Sequence, residues 1–332
     1  MAPNANGTLS LPPPSADQAY VTISALEGGH LTLPERLFIT DADPEKRTTV
    51  PSLSFLIQHP SKDASQPPTR IVFDLGLKRN LSRYPPAMQS HISQRQPVIT
   101  SPDVAESLRA GGLDPARDID YVILSHVHWD HVGTPDDFPR STFIVGPGTL
   151  HLLEHGAPPY YPAEIFDKDL LPRDRTCELP PVSSPQTTRT AGALRIPPWQ
   201  PLGDIFPHAV DLFSDGSIYL IDSPGHLYGH LNLLARVGPN RWVYLGGDCC
   251  HDVRILTGEK GIGMYDDGSG TGRLRSVHVD TDRARETLKK IGKLLRKGQG
   301  QDVEGEDQVE VIVAHDVAWR EANRGRFWPG KL

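Results

Sequence analysis

Four residues able to ligate a metal, His126, His128, Asp130 and His131, fall within the six positions HVHWDH (126–131). Imidazole nitrogens and carboxylate oxygens suit Zn2+ and also admit Fe or Mn, and a set without thiolate argues against a structural zinc knot. In a short loop, residues two apart can face the same side. His126 and His128 can therefore grip one ion, while Asp130 and His131, turned the other way, grip a second. Six residues cannot close such a site alone. Further candidates recur downstream, at His226 with His230 four residues later, at Asp248 and at His315. Two ions need a bridging group, and a carboxylate such as Asp248 is suited to span them.

The elements that must carry these residues are apolar runs that end where the candidates begin. IDYVILS (119–125) leads into His126, SIYLIDSPG (217–225) into His226, RWVYLGG (241–247) into Asp248, and VEVIVA (309–314) into His315. Such runs read as strands, and IDYVILS as one buried on both faces. Loops at the ends of a rigid sheet are where ligand positions can be held. Earlier runs, AYVTISAL (19–26), LSFLIQH (53–59), RIVFDLG (70–76) and TFIVG (142–146), read as strands too, and so does HLNLLARVG (230–238). SPDVAESLRAGG (101–112) and GTLHLLEHG (148–156) read as helices. DTDRARETLKKIGKLLRK (280–297) has an apolar stripe at 284, 288, 291, 294 and 295 behind an Asp/Thr start, which predicts a helix.

With 332 residues, the chain is long enough for a core that needs no covalent staples, and three cysteines make no disulfide framework. A net charge of -7 argues against a nucleic-acid groove, and the basic run KKIGKLLRK (289–297) fits an exposed helix face. No run approaches the roughly 18 apolar residues of a membrane span, and the N-terminus lacks the pattern of a signal peptide. The expected setting is cytoplasmic. Residues 1–18 read as a disordered Pro-rich leader, followed by a single domain over 19–332. Within it, 156–207 is rich in proline with scattered aromatics (Tyr160, Tyr161, Phe166, Trp199, Phe206), which predicts a lid-like insert.

The segment HVHWDH resembles the HxHxDH signature of the metallo-β-lactamase superfamily. The other motifs of that superfamily follow in order: FDLG (73–76) with Asp74, SPGH (223–226), GGD (246–248) and AHD (314–316). The resemblance runs from about residue 20 to 320 and implies an αββα sandwich, two mixed β-sheets with helices on the outer faces and a dinuclear site along one edge. It further implies that His126, His128 and His226 hold one metal, that Asp130, His131 and His315 hold the other, and that Asp248 bridges two Zn2+. Asp74 stands where the family carries a carboxylate that orients a ligand histidine. His230 resembles the trailing His of the PGHxxGH pattern, with a structural role. Trp129, Cys249 and Cys250 read as packing residues. His30, His59, His91, His151, His155, His208 and His278 receive no functional reading.

A water shared between two cations loses a proton near neutral pH, so the implied reaction is hydrolysis of an acyl compound by a metal-bridged hydroxide. The common zinc β-lactamases carry a cysteine where this chain has Asp248, and the all-His/Asp set is more similar to the lactonase and glyoxalase II branches. The leading expectation is a hydrolase that opens a lactone or related lactam, with Asp130 and Asp248 as candidate proton carriers. Its partner is a small-molecule acyl substrate. The alternative is a glyoxalase II-like thioesterase, weakened by the lack of a basic cluster for glutathione. An iron-dependent oxygenase, a degenerate scaffold and a nuclease each fit the full ligand set or the charge less well. One departure stands out: His251 lies three positions after Asp248, where bacterial lactonases often carry tyrosine. A histidine there can still donate to an oxyanion or a leaving group.

Overall fold

The computed structural model describes residues 11–190, 194–298 and 307–332. Two six-stranded sheets carry the fold, and in each the strands lie side by side in chain order. The first comprises β1 (Thr22–Leu26), β2 (Ser54–His59), β3 (Thr69–Phe73), β4 (Tyr121–Ile123), β5 (Thr142–Val145) and β6 (Thr176–Glu178). β1 to β3 pair antiparallel, and every pairing from β3 onward is parallel. The second comprises β7 (Gln200–Leu202), β8 (Phe206–Asp211), β9 (Ile218–Asp222), β10 (Leu231–Gly238), β11 (Arg241–Leu245) and β12 (Gln308–Ile312). It is an antiparallel meander until β12 joins β11 in parallel.

Parallel neighbours need crossovers, and helices supply several of them. α1 (Pro86–Ser93) and α2 (Val104–Ala110) lie between β3 and β4, and α3 (Thr149–His155) lies between β5 and β6. α4 (Val253–Thr257) and α5 (Thr281–Gly298) lie between β11 and β12, and α6 (Val317–Ala322) follows. α2 starts on a reciprocal cap: Asp103 accepts from the Glu106 amide, and the Glu106 carboxylate accepts from the Asp103 amide.

Side chains two apart on a strand share a face, and both faces of both sheets are covered. Ile23, Phe55, Ile71 and Phe73 of the first sheet meet Leu220, Leu233, Val243 and Leu245 of the second across the interior. Leu56, Val72 and Val122 turn outward onto Met88, Ile92 and Leu108. Leu234, Trp242 and Tyr244 turn the other way onto Ala284, Leu288, Ile291 and Leu294, the stripe expected on α5. The layers are helix, sheet, sheet, helix, the αββα sandwich that the resemblance implies. Burial on both faces is why the strands read as unbroken apolar runs rather than as alternating ones.

Two expectations are corrected. Of the leader expected over 1–18, residues 1–10 lie outside the described residues, and residues 11–18 are not a loose tail. Leu11 is buried in the outer core, its amide donates to Asp307 at 3.3 Å, and the Pro12 carbonyl accepts from Arg236. The segment 156–207 is only in part a lid. Its start, with Tyr160, Tyr161 and Ile165, walls a cavity, but its later part forms β6 and β7 at the sheet edges. Trp199 is packed in the interior, with its indole N–H on the Pro180 carbonyl, and Phe206 is packed in the outer core. Proline density hid these short strands from a periodicity reading.

Candidate metal centre

The strand directions converge on one edge. β3 and β4 run parallel, so the segments after them emerge side by side. β9 and β11 both pair antiparallel with β10 and therefore point the same way, and β12 is parallel to β11. Asp74, the 126–131 loop, His226, Asp248 and His315 all follow the C-terminal ends of these strands.

Asp74 sits in the left-handed region at φ 62°, where its carboxylate turns onto the histidine loop. One oxygen accepts from the Ser125 amide at 2.7 Å. The other accepts from the Ser125 hydroxyl at 2.7 Å and lies 2.9 Å from His131 Nδ1. A carboxylate facing Nδ1 calls for a proton there and turns His131 Nε2 toward the cluster. The Pro51 carbonyl does the same for His315, at 2.7 Å from Nδ1. His230 acts as a brace: its Nδ1 faces the Ser223 carbonyl at 3.1 Å, and its Nε2 accepts from the Asp248 amide at 3.3 Å. The preceding Gly247 has φ +48°, and a Cβ there would stand 2.9 Å from the Ser125 side chain. Only glycine lets the Asp248 loop lie that close to the 126–131 loop.

The structure brings the seven candidate ligands together as two buried groups, His126, His128, His226 with Asp248, and Asp130, His131, His315 with Asp248; within each, one ligand atom per residue lies within 4.8 Å of the others. His128 Nδ1 stands 3.0 Å from His126 Nε2 and 2.9 Å from His226 Nε2. Asp248 faces both groups, one oxygen to each. Its Oδ2 is 3.8 Å from His126 Nε2 and 3.6 Å from His226 Nε2, and its Oδ1 is 3.1 Å from both His131 Nε2 and His315 Nε2. Asp130 Oδ2 approaches His315 Nε2 at 3.5 Å.

Burial drives the imidazolium forms of His126, His128 and His226 well below the usual range, so their nitrogens are neutral donors. Burial acts the same way on His131, but Asp248 and Asp74 outweigh it and raise this group well above the usual range. At Asp248 burial disfavours the charge, and His131, His315 and His251 outweigh that, holding the carboxyl well below the ordinary carboxylate range.

The donor atoms fit divalent cations on a direct observation. His131 Nε2, His315 Nε2 and Asp248 Oδ1 are fully buried and, apart from their 3.1 Å approach to one another, have no hydrogen-bond partner. Leaving buried polar atoms unmatched costs about 1–3 kcal/mol each, and a cation held among them would satisfy all three. Cys249 and Cys250 belong to neither group and are buried in the outer core.

A cavity of about 370 Å3 opens onto this cluster, walled by Leu31, Phe38, Met88, Trp129, Tyr161 and Ile165 among others. His251 also lines it, with Nε2 3.0 Å from Asp248 Oδ2 and its ring packed 4.5 Å from Phe38. Trp129 is buried against Tyr84 as a packing residue, and it also lines the cavity. Three contributors were not foreseen. His278 Nδ1 lies 3.1 Å from His226 Nδ1 and backs that ligand, and His91 and Arg95 line the cavity. They sit on segments whose apolar spacing marks no strand end, so the sequence carried no signal for them.

The family model described as the metallo-beta-lactamase superfamily matches residues 101–244. A gamma-lactamase of Gibberella moniliformis is 33% identical over 185 residues, covering 54% of this chain and 70% of that protein. The chain belongs to the metallo-β-lactamase superfamily. Relatives of this superfamily member include a protein of Penicillium brevicompactum named as a cytochrome P450 monooxygenase, 29% identical over 98% of the chain but only 36% of that protein. The chain thus spans about a third of the length of the first curated relatives it matches. In fold it is similar to a variant of AiiA from B. thuringiensis with N-decanoyl-L-homoserine bound at the active site. The TM-score is 0.63 at 15% identity, covering 95% of this chain and 100% of that one.

Proposed function

We propose that this member of the superfamily is a metal-dependent hydrolase that opens a cyclic ester or a cyclic amide. His126, His128 and His226 would hold one divalent cation, Asp130, His131 and His315 a second, and Asp248 would be shared. The observation that carries the reading is the Asp248 carboxylate, whose two oxygens face the two groups separately. Zinc suits the donor set best, with iron and manganese as substitutes. When bound, such a pair acidifies water and polarises an acyl carbonyl.

The chain's own residues do the rest. His278 accepts from His226 Nδ1 and so presents His226 Nε2 to the first group. Asp74 and the Pro51 carbonyl fix His131 and His315 in the same sense. Phe38, Trp129 and Tyr161 give the cavity an apolar wall. His251 presents Nε2 on the cavity wall, 3.0 Å from Asp248, where it would pass a proton to a leaving oxygen or nitrogen. The choice of a cyclic substrate is supported by the gamma-lactamase relative.

The test is a hydrolysis screen of the zinc-loaded chain with a γ-lactone, a γ-lactam and an acyl thioester. Turnover of the lactone or lactam, abolished in Asp248→Ala, is expected. His251→Phe should keep its metal and slow turnover by on the order of 10²–10⁴. Thioester turnover alone would move the assignment to a glyoxalase II-like activity, and a loaded chain inert to all three would overturn it.

A further inference from the structure

Arg95 lines the cavity with its side chain unpaired among the described residues. It follows α1 and is mounted rigidly: its amide donates to the Ile92 carbonyl at 2.9 Å, and its carbonyl accepts from the Thr32 amide at 2.9 Å. The side chain lines the same cavity as His128, Asp130 and His251. Among the described residues its guanidinium makes no hydrogen bond and no ion pair closer than 4.0 Å. The other arginine of the cavity behaves differently. Arg275 donates to the Tyr160 and Ser276 carbonyls at 3.3 Å and stands 4.8–5.7 Å from the rings of Tyr160, Tyr161 and Tyr265. Its donors are occupied by the wall it builds. Asp267, another carboxylate of the lining, accepts from the Ser269 amide.

Burial and Arg47 penalise the Arg95 charge more than Asp130 supports it, and a half-buried guanidinium gains when a partner takes up its free donors. Its planar fork fits a carboxylate or another anionic oxygen in two parallel bonds. The neighbouring wall (Leu31, Leu33, Met88, Tyr265) is apolar and aromatic.

Resting on the hydrolase reading for the chemistry but not for the binding, we propose that Arg95 selects substrates carrying an anionic oxygen on an aromatic or apolar body. The cavity then has two points of recognition, the ligand cluster receiving the cyclic acyl group and Arg95 receiving the anion.

The test compares matched pairs. By calorimetry, 2-naphthoate should bind the metal-loaded chain, and its uncharged counterpart 2-naphthamide should bind at least about tenfold more weakly, as expected for a charge-assisted hydrogen bond out of bulk water. Arg95→Met should abolish the difference by weakening 2-naphthoate alone, and Arg95→Lys should restore part of it. In turnover, dihydrocoumarin carrying a ring carboxylate should show a lower KM than dihydrocoumarin itself in the wild type, with the two equal in Arg95→Met. A ring hydroxyl in place of the carboxylate distinguishes a phenolate preference from a carboxylate one. Equal binding of the naphthoate and the amide to the wild type would overturn the proposal. So would an Arg95→Met variant, folded by circular dichroism, that loses both probes alike. Selective naphthoate binding without turnover of any lactone would leave Arg95 in its role and remove the hydrolase reading instead.

Discussion

Asp74 commits both carboxylate oxygens to the segment that carries the histidines, gripping Ser125 twice and His131 once. Such a partner sets the tautomer and angle of a ligand ring without touching the metal. Asp74→Asn keeps the shape but puts an amide N–H2 where the Ser125 and His131 hydrogens must be accepted. Zinc affinity should fall by about 10–100-fold, read by competition with a chromogenic chelator, while the far-ultraviolet circular dichroism stays that of the wild type. Unchanged affinity would mean that His131 is not oriented for a metal. At this scale the sequence was legible where chemistry is concentrated. HVHWDH, His226, Asp248 and His315 could be picked out because each follows an apolar run. His278 and Arg95 could not: they lie in irregular segments, and their roles come from what the chain folds against them, His226 for one and an apolar cavity for the other.

The elements explain why the residues meet. β3, β4, β9, β11 and β12 bring their C-terminal ends to one edge, and short glycine turns let the loops pack there without a gap. Gly225, immediately before His226, has φ +132°, and a Cβ on it would lie 2.3 Å from the Ala284 amide at the start of α5. Gly225→Ala therefore has to push α5 away or swing His226 out of the first group. The expected outcome is a lower thermal midpoint together with loss of metal from the first group. A variant matching the wild type in both would show that the close approach of α5 is not needed. α5 and the long strands were readable because their apolar spacing is unbroken. β6 and β7 were not, because a strand of three residues among prolines has no period to detect. The residues behind the misread insert are the same in either view. Tyr160 and Tyr161 do wall the cavity, and Trp199 and Phe206 belong to the cores.

Across the whole molecule, three apolar clusters hold two sheets and their outer helices together, and the polar cluster lies where the sheets meet along one edge. Among the described residues no helix is long and apolar enough to cross a membrane. At that edge His131 Nε2, His315 Nε2 and Asp248 Oδ1 face one another with no other hydrogen-bond partner. Metal content per chain is the direct test of the central claim that they form a two-cation centre. Purified protein equilibrated with zinc and freed of excess, analysed by plasma mass spectrometry, should carry two zinc ions per chain, and Asp248→Ala should carry fewer. A wild-type chain holding one ion, or none, would contradict the shared role assigned to Asp248.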